Sequence, residues 1–268
     1  MNYEMKPLPL NAAALDGLSE RLILSHKEQD NIIGVSMLKS SSIHLTLSLV
    51  LITFAGAVVA EIEPTGSVAE SKITFDNLLP GTLPPSSWRI DATNPGGKLA
   101  EWKVVRDEQA LSKPNVLTVT KINDTSSAVF NLCWTSAILF QDGSVEVSIR
   151  ANTGKEDQGG GVIWRAKDGK NYYIARYNPL ESNFRIYYVK DGNRKQLASA
   201  SGITIPAGQW FRLKIVHHGN RIAGYLEDKK YLEVSDKTFL EAGGVGLWTK
   251  ADAASSFDNL IVMPGSRR

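Results

Sequence analysis

The sequence predicts an all-β protein whose main domain is a two-sheet antiparallel jelly-roll sandwich. From Ser71 onward, short runs rich in Val, Ile, Tyr, Phe and Trp recur between turn residues such as Asp142-Gly143 and Asp191-Gly192. Along the same region no amphipathic stretch is long enough for a major helix. Many short strands separated by turns are typical of a β-sandwich.

Composition excludes several other classes of protein. Of the 268 residues, 43% are hydrophobic and 22% are charged, which is ordinary for a globular protein and unlike collagen, a disordered chain or a multi-span membrane protein. The single cysteine, Cys133, cannot form an internal disulfide. The formal net charge is +2 with both signs interspersed, so we expect no nucleic-acid partner and no membrane contact beyond a signal segment.

Residues 1–36 do not have the composition of a signal-peptide amino terminus, because Asp16, Glu20 and other acids offset their basic residues. The runs Tyr3–Pro9 and Leu15–Glu20, followed by Ser25-His26, resemble the amino terminus of iron/manganese superoxide dismutases. In that family the histidine at the position of His26 is a metal ligand, but the remaining ligands have no counterpart here. We interpret residues 1–36 as a fusion remnant or an upstream start.

Residues 37–60 have the parts of a secretory signal peptide. A basic start at Met37 precedes an apolar stretch, Ile43–Val59, without Asp, Glu, Lys or Arg, and small residues end it at Ala60. We expect cleavage after Ala60 and export to the periplasm or the extracellular space. The stretch is also near the minimum of about 17 residues for a membrane span, so an uncleaved anchor stays open. Residues 61–70 then form a linker to the β-domain, residues 71–265.

Fourteen strands are expected in this domain. They are Ile73–Phe75, Trp102–Arg106, Val116–Ile122, Ala137–Phe140, Ser144–Ala151, Gly160–Arg165, Tyr172–Tyr177, Phe184–Lys190, Gln196–Ser199, Trp210–His217, Arg221–Leu226, Lys230–Val234, Gly244–Thr249 and Phe257–Met263. Val145, Val147 and Ile149 alternate with polar residues, which indicates one buried and one solvated face. The tetrad Phe-Asp-Asn-Leu at 75–78 recurs at 257–260, so we expect the first and last strands to be neighbours.

Four segments carry a family resemblance: residues 160–173, 210–215, 246–252 and 257–260. In composition, spacing and order they resemble the concanavalin A-like lectin/glucanase superfamily, and within it the 3-keto-disaccharide hydrolase domain. The resemblance covers roughly residues 70–265. It implies a jelly roll whose concave face meets carbohydrate and, in that branch, cleavage of oxidised disaccharides.

The catalytic residue cannot be named from the sequence. Retaining glycosidases of this superfamily carry acids at alternate positions of one strand, Glu-x-Asp-x-Glu, and this motif is missing. A 3-keto sugar could instead be cleaved by elimination with a single base, for which Asp252 and Glu181 are candidates. Enzymatic activity is therefore left open, beside a non-catalytic carbohydrate-binding module and a cell-envelope module that binds protein.

Three consecutive strands place Arg, Tyr and Asn side chains of one parity on one sheet face. Forked guanidinium donors and aromatic rings suit the hydroxyls and apolar faces of sugars. The predicted ligand-binding residues are Arg165, Tyr172, Arg176, Asn178, Arg185 and Tyr187, with Trp248, Lys250 and Asp252 at the rim. Two alternatives stay open: Tyr173 and Tyr177 could be the exposed pair, or the tyrosines could pack the core while the arginines pair with Glu181 or Asp168.

No cofactor is expected, although calcium is possible because it is common in the superfamily. Asp258 and Asp76, in the two copies of the tetrad, could each supply a carboxylate oxygen. No dense Asp/Asn calcium loop is present.

Overall fold

The computed structural model describes residues 70–265, which form two antiparallel sheets and contain no helix. The superoxide-dismutase-like segment, the expected signal peptide and all but the last residue of the linker lie outside the described residues. Within the described part of the chain, no helix is long and apolar enough to cross a membrane.

The fifteen strands are β1 Ser71–Ile73, β2 Trp88–Thr93, β3 Glu101–Arg106, β4 Asn115–Lys121, β5 Phe130–Phe140, β6 Gly143–Thr153, β7 Gly160–Asp168, β8 Asn171–Asn178, β9 Asn183–Lys190, β10 Asn193–Ser201, β11 Trp210–His218, β12 Arg221–Leu226, β13 Lys229–Ser235, β14 Gly243–Lys250 and β15 Ala254–Pro264. Sheet A has the order β13-β12-β11-β6-β15-β4-β3, with β1 also paired to β15. Sheet B has the order β10-β9-β8-β7-β14-β5-β2. The predicted two-sheet jelly-roll sandwich is therefore confirmed.

The main core lies between the two sheets. Val145, Val147 and Ile149 of β6 are fully buried there, as their alternation predicts. Trp102 of sheet A packs on Phe257 at a ring-centroid distance of 5.6 Å. Large apolar side chains meeting from two inner faces are the usual source of stability in a sandwich.

The expected pairing of the first and last strands is also confirmed. Strand β1 runs antiparallel to β15, with Ser71 opposite Val262 and Ile73 opposite Leu260. The first copy of the tetrad follows β1, and the second copy ends at Leu260, where the pairing with β1 begins. Asp76 and Asp258, one from each copy, therefore come close to one another. The strand start lies slightly earlier than expected, at Ser71 rather than Ile73.

Candidate functional site

Sheet B is curled so strongly that its edge strand β2 meets turns at the far side of the same sheet. Thr93 Oγ1 donates to the carbonyl of Gly169 at 2.6 Å and contacts the Tyr172 hydroxyl at 2.8 Å. Asn94 Nδ2 reaches the carbonyl of Gly192 at 3.4 Å. These bonds run diagonally across the concave face and close one of its ends.

The curled face encloses a second, smaller apolar core, separate from the core between the sheets. Its members are Phe130, Leu132, Trp134, Ile163, Ala166, Tyr172, Ile174, Tyr187, Val189 and Trp248. Trp248, placed at the rim by the sequence prediction, is only 1% exposed and packs against Phe130 at 5.4 Å between ring centroids. We call these ten residues the aromatic floor. Polar side chains lie over one end of it.

Strands β8 and β9 place two arginines opposite each other at that end. Arg176 pairs in register with Arg185, so like charges face each other across neighbouring strands. Glu181, in the turn between the strands, bonds both: its Oε2 lies 2.8 Å from Arg176 Nη2 and 3.2 Å from Arg185 Nη1. Asn183 also accepts from Arg176, at 2.5 Å, so the pair is held by a clamp built from one turn.

This clamp fixes the charge on Glu181. Partial burial alone would raise the pKa of its carboxyl, but hydrogen bonds from Asn183 and Arg176 and both guanidinium charges lower the pKa to about 2. A carboxyl with so low a pKa holds no proton to donate near neutral pH and is a weak base. The contacts of Glu181 give it a role in positioning two arginines, in place of the catalytic role considered from the sequence.

A third arginine, Arg194 of β10, joins this cluster and was missed from the sequence. Its guanidinium lies 4.5 Å from the Tyr187 ring centroid and 4.8 Å from that of Phe130, over the aromatic floor. Its Nη1 is buried and has no hydrogen-bond partner, and burial lowers its pKa. The expected strand began only at Gln196, so the pairing of Arg194 with Val189, which gives it this face, was not visible.

Asp157 is the buried carboxylate of the site. It is 3% exposed, accepts from Asn178 Nδ2 at 2.9 Å and pairs with Lys250 Nζ at 2.6 Å. Burial raises its pKa, although Lys250 opposes that shift. Sequence reasoning did not single out Asp157, because nothing in the neighbouring residues signals that this loop turns its side chain inward.

Asp252, the other candidate base, organises the loop that carries Asp157. Its two carboxylate oxygens accept backbone amide bonds from Lys155, Glu156 and Asp157 at 2.6 to 3.2 Å. Burial would raise the pKa of Asp252, but these three amides lower it below the usual range. Asp252 is thus a structural carboxylate, and its expected catalytic and ligand-binding roles are not supported.

Arg165 does not join the site, which corrects the sequence prediction. A bulge in β7 between Trp164 and Asp168 interrupts the alternation, and Arg165 has a φ of 47°. Trp164 faces the main core. In a regular strand Ala166 would face the same way, but the bulge turns it to the aromatic floor. The 1% exposed Arg165 instead bonds the carbonyls of Gln141 and Phe239.

The remaining predicted binding residues share the concave face. The structure brings Tyr172, Arg176, Asn178, Arg185 and Tyr187 to it, while Tyr173 and Tyr177 point into the main core. Tyr172 is fully buried beneath the closed end, so it belongs to the floor and not to a contact surface.

The two candidate calcium ligands do not fit a metal site. Asp258 accepts the amides of Ser112 at 2.6 Å and Asn259 at 2.7 Å. Asp76 accepts the amide of Asn115 at 3.0 Å and the hydroxyl of Ser112. All four oxygens already hold protein donors, and within residues 70–265 no three His, Cys, Asp or Glu side chains are grouped as metal ligands. Both carboxylates instead fasten one loop to the sheet.

Two antiparallel sheets, one of them curled over a second core, define a protein with a two-sheet jelly-roll fold. The solved structures similar to the chain include a carbohydrate-binding module, CBM66 from Bacillus subtilis, and the cellulose-induced protein Cip1. The first has a TM-score of 0.52 at 20% identity, covering 65% of this chain and 93% of its own. The second has a TM-score of 0.51 at 14% identity, covering 74% and 100%. At such identities the likeness shows the fold alone.

No protein-family model matches the chain, and no curated protein matches it in sequence. The expected membership of the 3-keto-disaccharide hydrolase branch therefore stays a prediction from the residues quoted above.

Proposed function

We propose that the protein binds a saccharide at the open end of the concave face of sheet B. One observation carries the proposal: guanidinium, carboxylate and ammonium groups are fixed beside the aromatic floor. Arg185 offers accessible guanidinium donors, and Tyr187, whose hydroxyl is bonded to Arg176, lies beside it with its ring. Sugars present hydroxyls and apolar ring faces together, so a mixed surface of this kind suits them.

The clamp makes the site rigid before a ligand arrives. Arg176 is 3% exposed and bonded to Asn183, Glu181 and Tyr187, so its rotamer is already fixed. Arg185 is more open, with 30% of its side chain exposed, and can contact a ligand directly. Fixed donors lower the entropic cost of binding.

Glycan-array binding by the full chain tests this proposal, with affinities for each hit measured by calorimetry. Arg185→Gln should weaken binding about 10- to 100-fold, which corresponds to the loss of one or two charged hydrogen bonds. Arg212→Gln is the matched control, because Arg212 lies on sheet A with its side chain 42% exposed. Equal losses in both variants, or binding to no glycan, would contradict the proposal, and the latter would favour a protein-interaction role.

Hydrolysis or elimination of a 3-keto-disaccharide is the second candidate function. Asp157 supports it, because a buried carboxyl with a raised pKa is suited to act as a general base near neutral pH. Incubating each bound disaccharide and its 3-keto derivative with the protein, with products followed by mass spectrometry, tests this. Product formation that survives in Asp157→Asn would contradict the assignment, and binding without product would leave a carbohydrate-binding module. Asp168→Asn, at the exposed end of β7, controls for charge loss.

We also propose that the protein is exported. The signal-like residues 37–60 would deliver the domain to a compartment where polysaccharides occur. Amino-terminal sequencing of the protein recovered from its producing cells should begin at Glu61. Retention of Met1 on the exported protein would contradict cleavage after Ala60.

A further inference from the structure

The side chains around the open end of the concave face carry more positive than negative charge. The cations are Arg176, Arg185, Arg194 and Lys250, and the anions are Asp157, Glu181 and the neighbouring Asp252, which leaves a surplus of one positive charge. All three carboxylates are already committed, Glu181 to two arginines, Asp157 to Lys250 and Asp252 to backbone amides. Nothing in this group neutralises Arg194.

Arg194 is the cation of this group that has no counterion. Among residues 70–265 no carboxylate lies within 4.0 Å of it, and its contacts are the rings of Tyr187 and Phe130. Its Nη1 is buried without a hydrogen-bond acceptor. Leaving a charged donor desolvated and unpaired is costly, so a site of this kind favours a ligand that supplies an acceptor with negative charge.

Arg176 provides a second, independent sign of the same preference. The Arg176 side chain is only 3% exposed. Its Nε has no hydrogen-bond acceptor, although both of its Nη atoms do. Arg176 and Arg194 both contact Tyr187, with guanidinium carbons 5.8 and 4.5 Å from its ring centroid. Two guanidinium groups with unused donors thus flank one ring.

We infer that the ligand is an acidic saccharide, whose oxyanion, a carboxylate or a sulfate, is bound by Arg176 and Arg194 while its sugar ring lies near Tyr187. The inference rests on the proposed saccharide-binding function and gives the chemical class of that ligand. Planar guanidinium forks match carboxylate and sulfate oxygens in pairs, which neutral hydroxyls cannot do with equal strength.

The test compares charged and neutral forms of the same glycan on the full chain. An array holding neutral, uronate-containing and sulfated oligosaccharides identifies the bound set, and each hit is then measured beside its methyl ester or its desulfated form. The acidic form should bind at least 10-fold more tightly at low salt, and raising the salt should narrow that difference. The ester and desulfation arms tell carboxylate from sulfate.

Two variants locate the effect. Arg194→Gln should remove most of the preference for the acidic form, measured as the ratio of the affinities for the acidic and neutral forms. Lys195→Gln, one residue along β10, should leave the preference intact, because Lys195 is paired with Tyr188 and faces away from the floor. A thermal melt of each variant verifies folding.

The possible failures are distinguishable. Equal affinity for acidic and neutral forms, or a preference that Arg194→Gln leaves intact, would overturn the inference and leave saccharide binding standing. Binding of no glycan at all would overturn the proposed function and this inference with it.

Discussion

Replacing Arg165 with methionine should cost stability and leave saccharide affinity unchanged. The guanidinium of Arg165 joins three turns: its Nε bonds Gln141 O at 2.8 Å, its Nη1 bonds Phe239 O at 2.7 Å, and its Nη2 bonds Asp142 and Gly219. The sequence had assigned this arginine to the ligand. The substitution therefore separates the two roles.

The magnitude follows from the acceptors that methionine would leave behind. Phe239 is buried, so leaving its carbonyl unsatisfied costs about 1 to 3 kcal/mol, whereas Gln141 is exposed and water can replace its partner. Asp142 is 42% exposed, so water can replace its partner at little cost. The positive φ at position 165 is present before and after the change, so it adds nothing to the difference.

Urea unfolding followed by tryptophan fluorescence measures the effect. With a slope of about 2 kcal/mol per molar urea, the midpoint should fall by about 0.5 to 1.5 M. Arg212→Met is the control, because its exposed ion pairs with Glu227 and Asp228 contribute under about 1 kcal/mol. A midpoint shift in Arg165→Met no larger than in the control would refute this reasoning, and a large loss of glycan affinity in folded protein would return Arg165 to the binding site.

Three further predictions concern acid, thiol chemistry and strand packing. Because the pKa of Glu181 is about 2 in the folded protein and 4.5 ordinarily, its contribution to stability is present above about pH 4.5 and is lost as the pH falls toward 2. Thermal melts from pH 2 to 6 should show this loss, and Glu181→Gln should reduce it; an unchanged pH profile would contradict the clamp. Burial raises the pKa of the Cys133 thiol, so a thiol reagent should label it only after unfolding in urea, and rapid labelling of native protein would contradict its burial. Gly161→Ala would place a Cβ 1.9 Å from the carbonyl oxygen of Ala175 on the neighbouring strand. We therefore expect the free energy of unfolding, measured in urea, to fall by about 1 to 3 kcal/mol. Wild-type stability would contradict the close approach.

Alternation of apolar and polar residues made most of the fold predictable, and the same rule explains what was missed. Strand β2 was not expected, and β5 was expected only from Ala137, although it begins at Phe130. In β5 the run from Phe130 to Trp134 is buried on both faces, against the aromatic floor on one side and the main core on the other. A strand buried on both faces shows no alternation.

The site was predictable where strands are regular and unpredictable where they are not. Parity alone assigned Arg176, Arg185 and Tyr187 to the concave face, as the structure places them. Arg165 was misassigned because a bulge of local origin shifted its side chain. Arg194 depends on the exact start of an edge strand, which composition does not fix.

The diagonal closure of sheet B has a consequence for the order of folding. The bonds from Thr93 to Gly169 and from Asn94 to Gly192 join residues 76 and 98 positions apart in the chain. Contacts over such separations form late, because a long stretch of chain must be ordered before they give any return. Until then the rings of the aromatic floor, which the finished fold buries, are open to solvent, and unfinished molecules would adhere to one another through them.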